Sequence, residues 1–167
     1  MESAPEPSGD LCTACGFCCD GTLFNFGKAS PAEEPVLAAA GFRMCNSADG
    51  QRGFTIPCHK LENRRCTYYD QRPATCRAYR CTTLIALDEG RITPTQAHHN
   101  VAAAQAAIAA IRALLPKGEE LGPLLARVAA GEMADARLLL HAGVLNLLLD
   151  RHFRKDRQQV WNPTAAP

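Results

Sequence analysis

The chain has 167 residues, of which 47% are hydrophobic and 21% are charged, and its formal net charge is +1. This composition is that of a globular protein with room for one domain, or for a small cysteine-rich unit followed by a helical one. A net charge so close to zero argues against partners bound through bulk charge. We therefore expect neither nucleic acid nor a membrane among its partners.

The first residues of the chain predict a disordered tail over residues 1–9, which are acidic, rich in Pro and Ser and free of any hydrophobic stretch that could act as a secretory signal. The longest apolar run, Leu138–Leu149, contains His141 and Asn146 and is too short to span a bilayer. We therefore expect a cytoplasmic protein whose thiols stay reduced.

Residues 10–92 carry all nine cysteines and predict a metal-binding domain. Four of them form a C-x2-C-x2-C-C run, and five more are spread downstream. They are Cys12, Cys15, Cys18 and Cys19, then Cys45, Cys58, Cys66, Cys76 and Cys81. An odd number does not suit a fully paired disulfide framework, and thiolates this close together repel unless a cation neutralises them. The pattern therefore favours a metal or iron–sulfur site.

Within the cysteine region, hydrophobic periodicity is weak, as in a unit whose core is built mainly by thiolate–metal bonds. Proline at a first turn predicts short helices over Pro31–Ala40, which Gly41 would end, and over Pro73–Tyr79. The stretch Asn46–Gly53 is typical of a loop. We expect an irregular, metal-stabilised unit with short helices.

After Cys81 the sequence becomes helical. A short helix is predicted over Thr82–Asp88, ending at Gly90, and Thr93, Pro94 and Gln96 form a capping-box pattern for the next one. Its apolar residues share one face, and they are Ala97, Val101, Ala104, Ile108, Ile111 and Leu115.

Two further helices are predicted over residues 119–130 and 133–153. The last is apolar on nearly every side, which predicts a central position in the helical part. Residues 93–155 thus form a helical segment packed on the cysteine unit, and residues 156–167 a C-terminal tail. The predicted fold class is mainly α, with a bundle of about three to four helices after the cysteine unit.

The cysteine spacing is compatible with two kinds of centre. Three thiols at C-x2-C-x2-C can wrap one face of a cubane iron–sulfur cluster, with a remote cysteine as the fourth ligand. Zinc fits equally well, because two tetrahedral sites of four thiolates would use eight of the nine cysteines. Neighbouring side chains diverge along the backbone, so Cys18 and Cys19 are not expected to bind one mononuclear ion together. They fit better as ligands to two different centres, or with one as a ligand and the other beside the ligands.

Basic residues are concentrated around the later cysteines. Eight of them oppose three acids between residues 43 and 80, and they are Arg43, Arg52, Lys60, Arg64, Arg65, Arg72, Arg77 and Arg80. They would offset thiolate charge or form a docking face for an acidic partner. His59, beside Cys58, is a candidate ligand or proton carrier. No phosphate loop, Ser–His–Asp pattern or HExxH motif occurs, so no residue is assigned a catalytic role.

These motifs together resemble a known family. Cys12-x2-Cys15-x2-Cys18-Cys19, then Pro57-Cys58, then Cys66-Thr-Tyr-Tyr-Asp-x-Arg72-Pro73-x2-Cys76-Arg77-x3-Cys81, resembles the YkgJ-type CxxCxxCC cysteine-cluster family over residues 10–92. The resemblance implies a zinc- or iron-chelating domain. Its eight cysteines correspond here to Cys12, Cys15, Cys18, Cys19, Cys58, Cys66, Cys76 and Cys81, and Cys45 falls outside the set.

Three functions compete at this point. The first is an iron–sulfur protein that serves electron transfer or a redox step for a protein partner. The second is a zinc-stabilised module whose helices bind another protein. The third is metal storage or delivery, with exchangeable ligands such as Cys19 and Cys45.

Overall fold

A computed structural model describes residues 9–47, 49–132 and 135–155. The tails predicted at residues 1–9 and 156–167 lie outside these ranges, except for Gly9, which begins the first helix. Met133, where the last helix was predicted to begin, also lies outside the described residues. Among the helices in the described ranges, none is both long enough and apolar enough to cross a membrane.

The described residues form seven helices and two small antiparallel sheets, so the chain is mainly helical. The helices are α1 (Gly9–Cys15), α2 (Glu34–Ala39), α3 (Ala74–Ala78), α4 (Thr82–Asp88), α5 (Pro94–Leu114), α6 (Leu121–Ala129) and α7 (Ala136–His152). The strands are β1 (Phe26–Lys28), β2 (Met44–Asn46), β3 (Arg52–Thr55), β4 (Leu61–Glu62) and β5 (Arg65–Cys66).

The sheets were not predicted from the sequence. One has the strand order β1-β3-β2 and the other pairs β4 with β5. The ends of the predicted loop Asn46–Gly53 belong to strands β2 and β3. Gly53 pairs with Lys28 and with Cys45, and a Cβ atom there would lie 2.2 Å from the Gly27 carbonyl oxygen. A side chain at position 53 would therefore force the strands apart.

The helix predictions in the first hundred residues are largely confirmed. The first two predicted segments form α2 and α3, both shorter than expected, and Gly41 follows α2 with a φ of +83°. Helix α4 has the predicted bounds. The capping box at the start of α5 is present, with the Thr93 hydroxyl accepting from the Gln96 amide at 3.2 Å. These features rest on local backbone chemistry, which a sequence encodes directly.

Helix α5 buries the predicted face, but the expectation for α7 is wrong. Only one face of α7 is buried, through Leu138, Ala142, Leu145 and Leu149. On the other face, Leu140 and Leu147 are 66% and 72% exposed. The helix therefore lies at the surface of the helical part rather than at its centre.

The main hydrophobic core joins the start of the chain to the helices. Leu11, Phe17 and Leu23 are buried in the same cluster as residues from α4, α5, α6 and α7. A smaller cluster of Leu37, Phe42 and Phe54 lies under the three-stranded sheet. The C-x2-C-x2-C-C segment is thus anchored on the helices, whereas the sheet has only a small core of its own.

Candidate metal centre

The C-x2-C-x2-C-C segment crosses the end of α1. Cys12 and Cys15 belong to the helix, and Gly16 follows with a φ of +72°, a backbone conformation that favours glycine. The Cys19 amide then donates to the Gly16 carbonyl at 2.9 Å, which closes a turn. Phe17 is buried with its ring against Phe153 at a centroid distance of 5.2 Å. This anchor fixes the turn that carries Cys18 and Cys19.

Four thiols form a first group, Cys12, Cys15, Cys18 and Cys81. Burial raises the pKa of Cys12, and the Cys81 thiol raises it further. Burial raises the pKa of Cys15 to about 12, with Cys81 and Cys12 adding to the effect. Burial also raises the pKa of Cys18, as do Cys15, Cys19, Cys81 and Cys12. The members of the group are therefore near enough to repel one another once ionised.

Four other thiols form a second group, Cys19, Cys58, Cys66 and Cys76. Burial raises the pKa of Cys19 to about 12, and the largest further increases come from Cys76, Cys58 and Cys66. Burial raises the pKa of Cys76 to about 11, again with Cys58 and Cys66 adding to it. The Cys58 amide donates a hydrogen bond to the Cys19 carbonyl at 2.8 Å, which holds the backbone at Cys58 next to the backbone at Cys19. The adjacent pair Cys18-Cys19 thus contributes one thiol to each group.

The second group is assembled from three further elements. Cys58 precedes β4, Cys66 lies in β5 and Cys76 lies in α3. The pairing of β4 with β5 places Leu61 opposite Cys66, so the hairpin brings Cys66 back towards Cys58. Cys81 takes another path, since it caps α4 with its Sγ accepting from the Leu84 amide at 3.4 Å. Residues 76 and 81 therefore end in different groups although only four residues separate them.

One cavity of about 380 Å³ is lined by all eight thiols of the two groups. Its wall is otherwise largely apolar, with Phe17, Leu23, Phe54 and Ile56 among the lining residues. In the described ranges, no group of three or more His, Cys, Asp or Glu side chains is arranged so that it could hold a single ion as it stands. The thiols surround a space instead of converging on one point.

Cationic side chains adjoin both groups. Arg72 lines the cavity and lowers the pKa of Cys12 and of Cys76, so it lies near a member of each group. Its guanidinium carbon is 3.6 Å from the centroid of the Tyr69 ring, and its Nε donates to the Tyr69 carbonyl at 2.9 Å. Burial raises the pKa of Cys58, and Lys60 opposes that rise. These positions fit the predicted role of basic residues in offsetting thiolate charge.

Tyr79 and Phe153 are parts of the site that the sequence did not reveal. Burial raises the pKa of Tyr79, and so do Cys18, Cys81 and Cys15, because the phenol lies beside the first group. Its hydroxyl donates to the Phe153 carbonyl at 2.8 Å. Tyr79 precedes Cys81 by two positions, which is a weak signal. Phe153 follows the last cysteine by 72 positions, so no local pattern could have connected it to the site.

Cys45 and the histidines are absent from the cavity lining in the described part of the chain. Cys45 is buried in β2 and pairs with Gly53. His59 is exposed, with its ring edge-on to Phe42 at 5.7 Å, and it too is absent from the cavity lining in the described part of the chain. His98 and His99 are exposed on α5. The described lining of the cavity therefore carries thiols and no histidine.

Comparison with known proteins identifies the family. Residues 11–105 match the family model CxxCxxCC, described as a putative zinc- or iron-chelating domain. No curated protein and no solved structure shows a significant match to the chain. The family match covers more than half of the sequence and includes all nine cysteines and the start of α5. The chain belongs to the CxxCxxCC family of metal-chelating cysteine domains.

Proposed function

We propose that the protein holds two iron–sulfur clusters and serves electron transfer or a redox step with a protein partner. The single observation that carries this proposal is one largely apolar cavity lined by eight thiols. The thiols that raise one another's pKa suggest two sets of four, which meet at the adjacent residues Cys18 and Cys19. Cys12, Cys15, Cys18 and Cys81 would hold one cluster, and Cys19, Cys58, Cys66 and Cys76 the other. When bound, such clusters supply one-electron chemistry.

The cavity gives each group of thiols room for a cluster. A tetrahedral zinc ion, with Zn–S bonds of about 2.3 Å, would draw its four sulfurs to about 3.8 Å from one another. The eight thiols border a cavity of about 380 Å³. Iron and sulfide ions between the thiols would fill that space.

The surroundings of the first group suit a redox partner. Cys12 is the most exposed thiol of its group, and Arg72 and Arg80 lower its pKa. Arg64, whose guanidinium lies 3.4 Å from the Ala14 carbonyl oxygen, adds a further exposed positive charge at the end of α1. A partner with an acidic surface would find here both an accessible edge of the centre and complementary charge.

A zinc-stabilised interaction module is the second candidate. It draws support from the same stoichiometry, since four thiolates are the full ligand set of a structural zinc site. Metal storage or delivery is weaker, because Cys45, which would be one exchangeable ligand, is buried in β2 away from the cavity.

Anaerobic purification separates the first two candidates. The proposal predicts a brown protein with about eight iron and about eight sulfide ions per chain if both clusters are cubanes, and a visible band that bleaches on reduction. A colourless protein with about two zinc ions per chain would overturn the iron–sulfur proposal and support the zinc module. Expression with both metals supplied makes the comparison fair.

Metal loading should become stronger as the pH rises. Burial holds the pKa of Cys15 and Cys19 at about 12 and that of Cys76 at about 11, so these thiols carry protons in the metal-free protein near neutral pH. Binding displaces the protons, and affinity should rise by about tenfold per pH unit for each proton released. Competition between the protein and a chelator for Zn²⁺, measured at about pH 6.5 and about pH 8.5, checks this.

The raised pKa values of the buried thiols also make the stability of the metal-free protein depend on pH. A thiol whose pKa is raised by folding stabilises the fold below its ordinary pKa of 9.0, and that contribution is lost as the pH rises through 11 to 12. The denaturant concentration at the midpoint of unfolding should therefore decrease as the pH rises above about 9. For metal loading, a Zn²⁺ affinity that does not change with pH would contradict the prediction, because it would show that the thiols of the metal-free protein are already ionised.

A further inference from the structure

Helix α7 presents an ordered apolar face to solvent. Leu140, Val144 and Leu147 are 66%, 44% and 72% exposed, and they follow one another at intervals of four and three residues, so they form one row. Gly143 is exposed beside them, with no atom within 4 Å of the position of an added Cβ. We name Leu140, Gly143, Val144 and Leu147 the α7 stripe. A continuous exposed row of this kind is typical of an interaction surface.

The α7 stripe is symmetric about its midpoint. Leu140 and Leu147 are equally far from the midpoint between Gly143 and Val144, and the order of large, small, large side chains is nearly the same from either end. Two such helices packed antiparallel would place Leu140 against Leu147 of the second copy. Gly143 would lie opposite Val144 of the second copy, where its missing side chain lets the helix axes approach closely.

The charged residues at the two ends of the stripe are equally far from its midpoint and carry opposite charges. Arg137 precedes Leu140 by three positions and Asp150 follows Leu147 by three, and both are exposed. In an antiparallel pair, Arg137 of each copy would lie near Asp150 of the other. A parallel pair would instead place Arg137 near Arg137. The charge order therefore favours a second copy of this chain, in one orientation, as the occupant.

We propose that a second copy of the chain packs its α7 antiparallel on the α7 stripe, about a twofold axis between Gly143 and Val144. The opposite face of α7 is already buried against the core through Leu138, Ala142, Leu145 and Leu149, and the stripe is the face that the described residues leave open. One helix pair buries less than the roughly 800 Å² per partner of a standard interface, so dissociation in the micromolar range is expected.

The first test measures association of the metal-loaded full chain by analytical ultracentrifugation between about 1 µM and about 200 µM. The proposal predicts a monomer–dimer equilibrium, and Leu147→Glu should raise Kd by about 100-fold or more because it buries a charge at the contact. Val36→Glu is the matched control, since Val36 is also apolar and 59% exposed but lies on α2. It should leave Kd unchanged.

The second test addresses orientation. Arg137→Glu alone and Asp150→Arg alone should each weaken the homodimer at low salt, because like charges then meet at both ends. An equimolar mixture of the two variants should restore association, because every pair again has opposite signs. Asp150 also accepts from Arg154 at 2.7 Å, so the thermal midpoint of Asp150→Arg is measured alongside.

Three results would overturn the proposal. The first is a wild-type chain that stays monomeric at all concentrations. This is also the result expected if residues 156–167 or a different protein cover the stripe. The second is a dimer that Leu147→Glu does not weaken. The third is a mixture of the charge variants that associates no better than either variant alone.

Discussion

Replacing Cys18 by serine should empty one metal centre and spare the other, and replacing Cys19 by serine should do the reverse. The two residues are adjacent in sequence, but Cys18 is grouped with Cys12, Cys15 and Cys81, whereas Cys19 is grouped with Cys58, Cys66 and Cys76. Each single variant should retain about half of the metal, because a serine hydroxyl is a poor replacement for a thiolate ligand. Metal analysis of protein purified in parallel measures the loss.

The comparison has a matched control within the chain. Cys45→Ser also removes a buried thiol, but from β2 and away from the cavity, so the full metal content should remain. The pair Cys12→Ser and Cys76→Ser should reproduce the Cys18→Ser and Cys19→Ser results respectively. Equal and complete loss of metal from both single variants would mean that one shared centre, rather than two, is bound.

Metal removal should unfold the sheet region while much of the helical part remains. Among the described residues, the small cluster under the three-stranded sheet has three buried side chains, Leu37, Phe42 and Phe54, with partly buried ones packed against them. This is too little apolar burial to offset chain entropy. Structural metal in small domains contributes on the order of 10 kcal/mol of folding free energy. Helices α5 and α7, in contrast, share the larger core and should persist.

Hydrogen exchange with and without a chelator, under reducing conditions, checks this prediction. Amides of β1, β2 and β3 should lose protection, whereas those of α5 and α7 should remain at least about 100-fold better protected. Restoring metal should restore the protection, which separates reversible unfolding from damage to the thiols. Unchanged protection in the sheet after complete metal removal would contradict a stabilising role for the metal.

Helices α2 to α7 were predicted because their signals are local, whereas α1, at the start of the cysteine run, was missed. Thr93, Pro94 and Gln96 specify the start of α5 through side-chain contacts within one turn, and Gly41 and Gly90 adopt positive φ after α2 and α4. The strands escaped prediction because they span only two to four residues, too few for a clear alternation. In the three-stranded sheet, the strands can pair only because Gly53 has no side chain, and a single glycine gives no periodic pattern in the sequence.

The exposed face of α7 could not be read from the sequence because leucines surround the helix on nearly every side. Which of them are buried depends on where α5 and α6 pack, and that is a property of the whole helical part. Leu138 and Leu145 face the core, whereas Leu140 and Leu147 face solvent.

The eight cysteines proposed from the sequence as ligands line one cavity, but which of them group together was not predicted. Divergence of neighbouring side chains indicated two centres at Cys18 and Cys19, and the structure places these thiols in different groups. The assignment of Cys76 and Cys81 to different groups depends on contacts distant in sequence. Tyr79 binds the Phe153 carbonyl and Thr83 binds the His152 carbonyl at 2.6 Å, so the C-terminal end of α7 sets the path of the chain at Cys81.

We propose that eight thiols form two separate centres on either side of the peptide that joins Cys18 to Cys19. A crystal structure of the anaerobically purified protein, with anomalous difference maps recorded at the iron and zinc edges, would locate these centres. Two anomalous peaks are expected, one beside Cys12, Cys15, Cys18 and Cys81 and the other beside Cys19, Cys58, Cys66 and Cys76. A single peak shared by Cys18 and Cys19, or a centre that takes His59 as a ligand, would contradict this proposal.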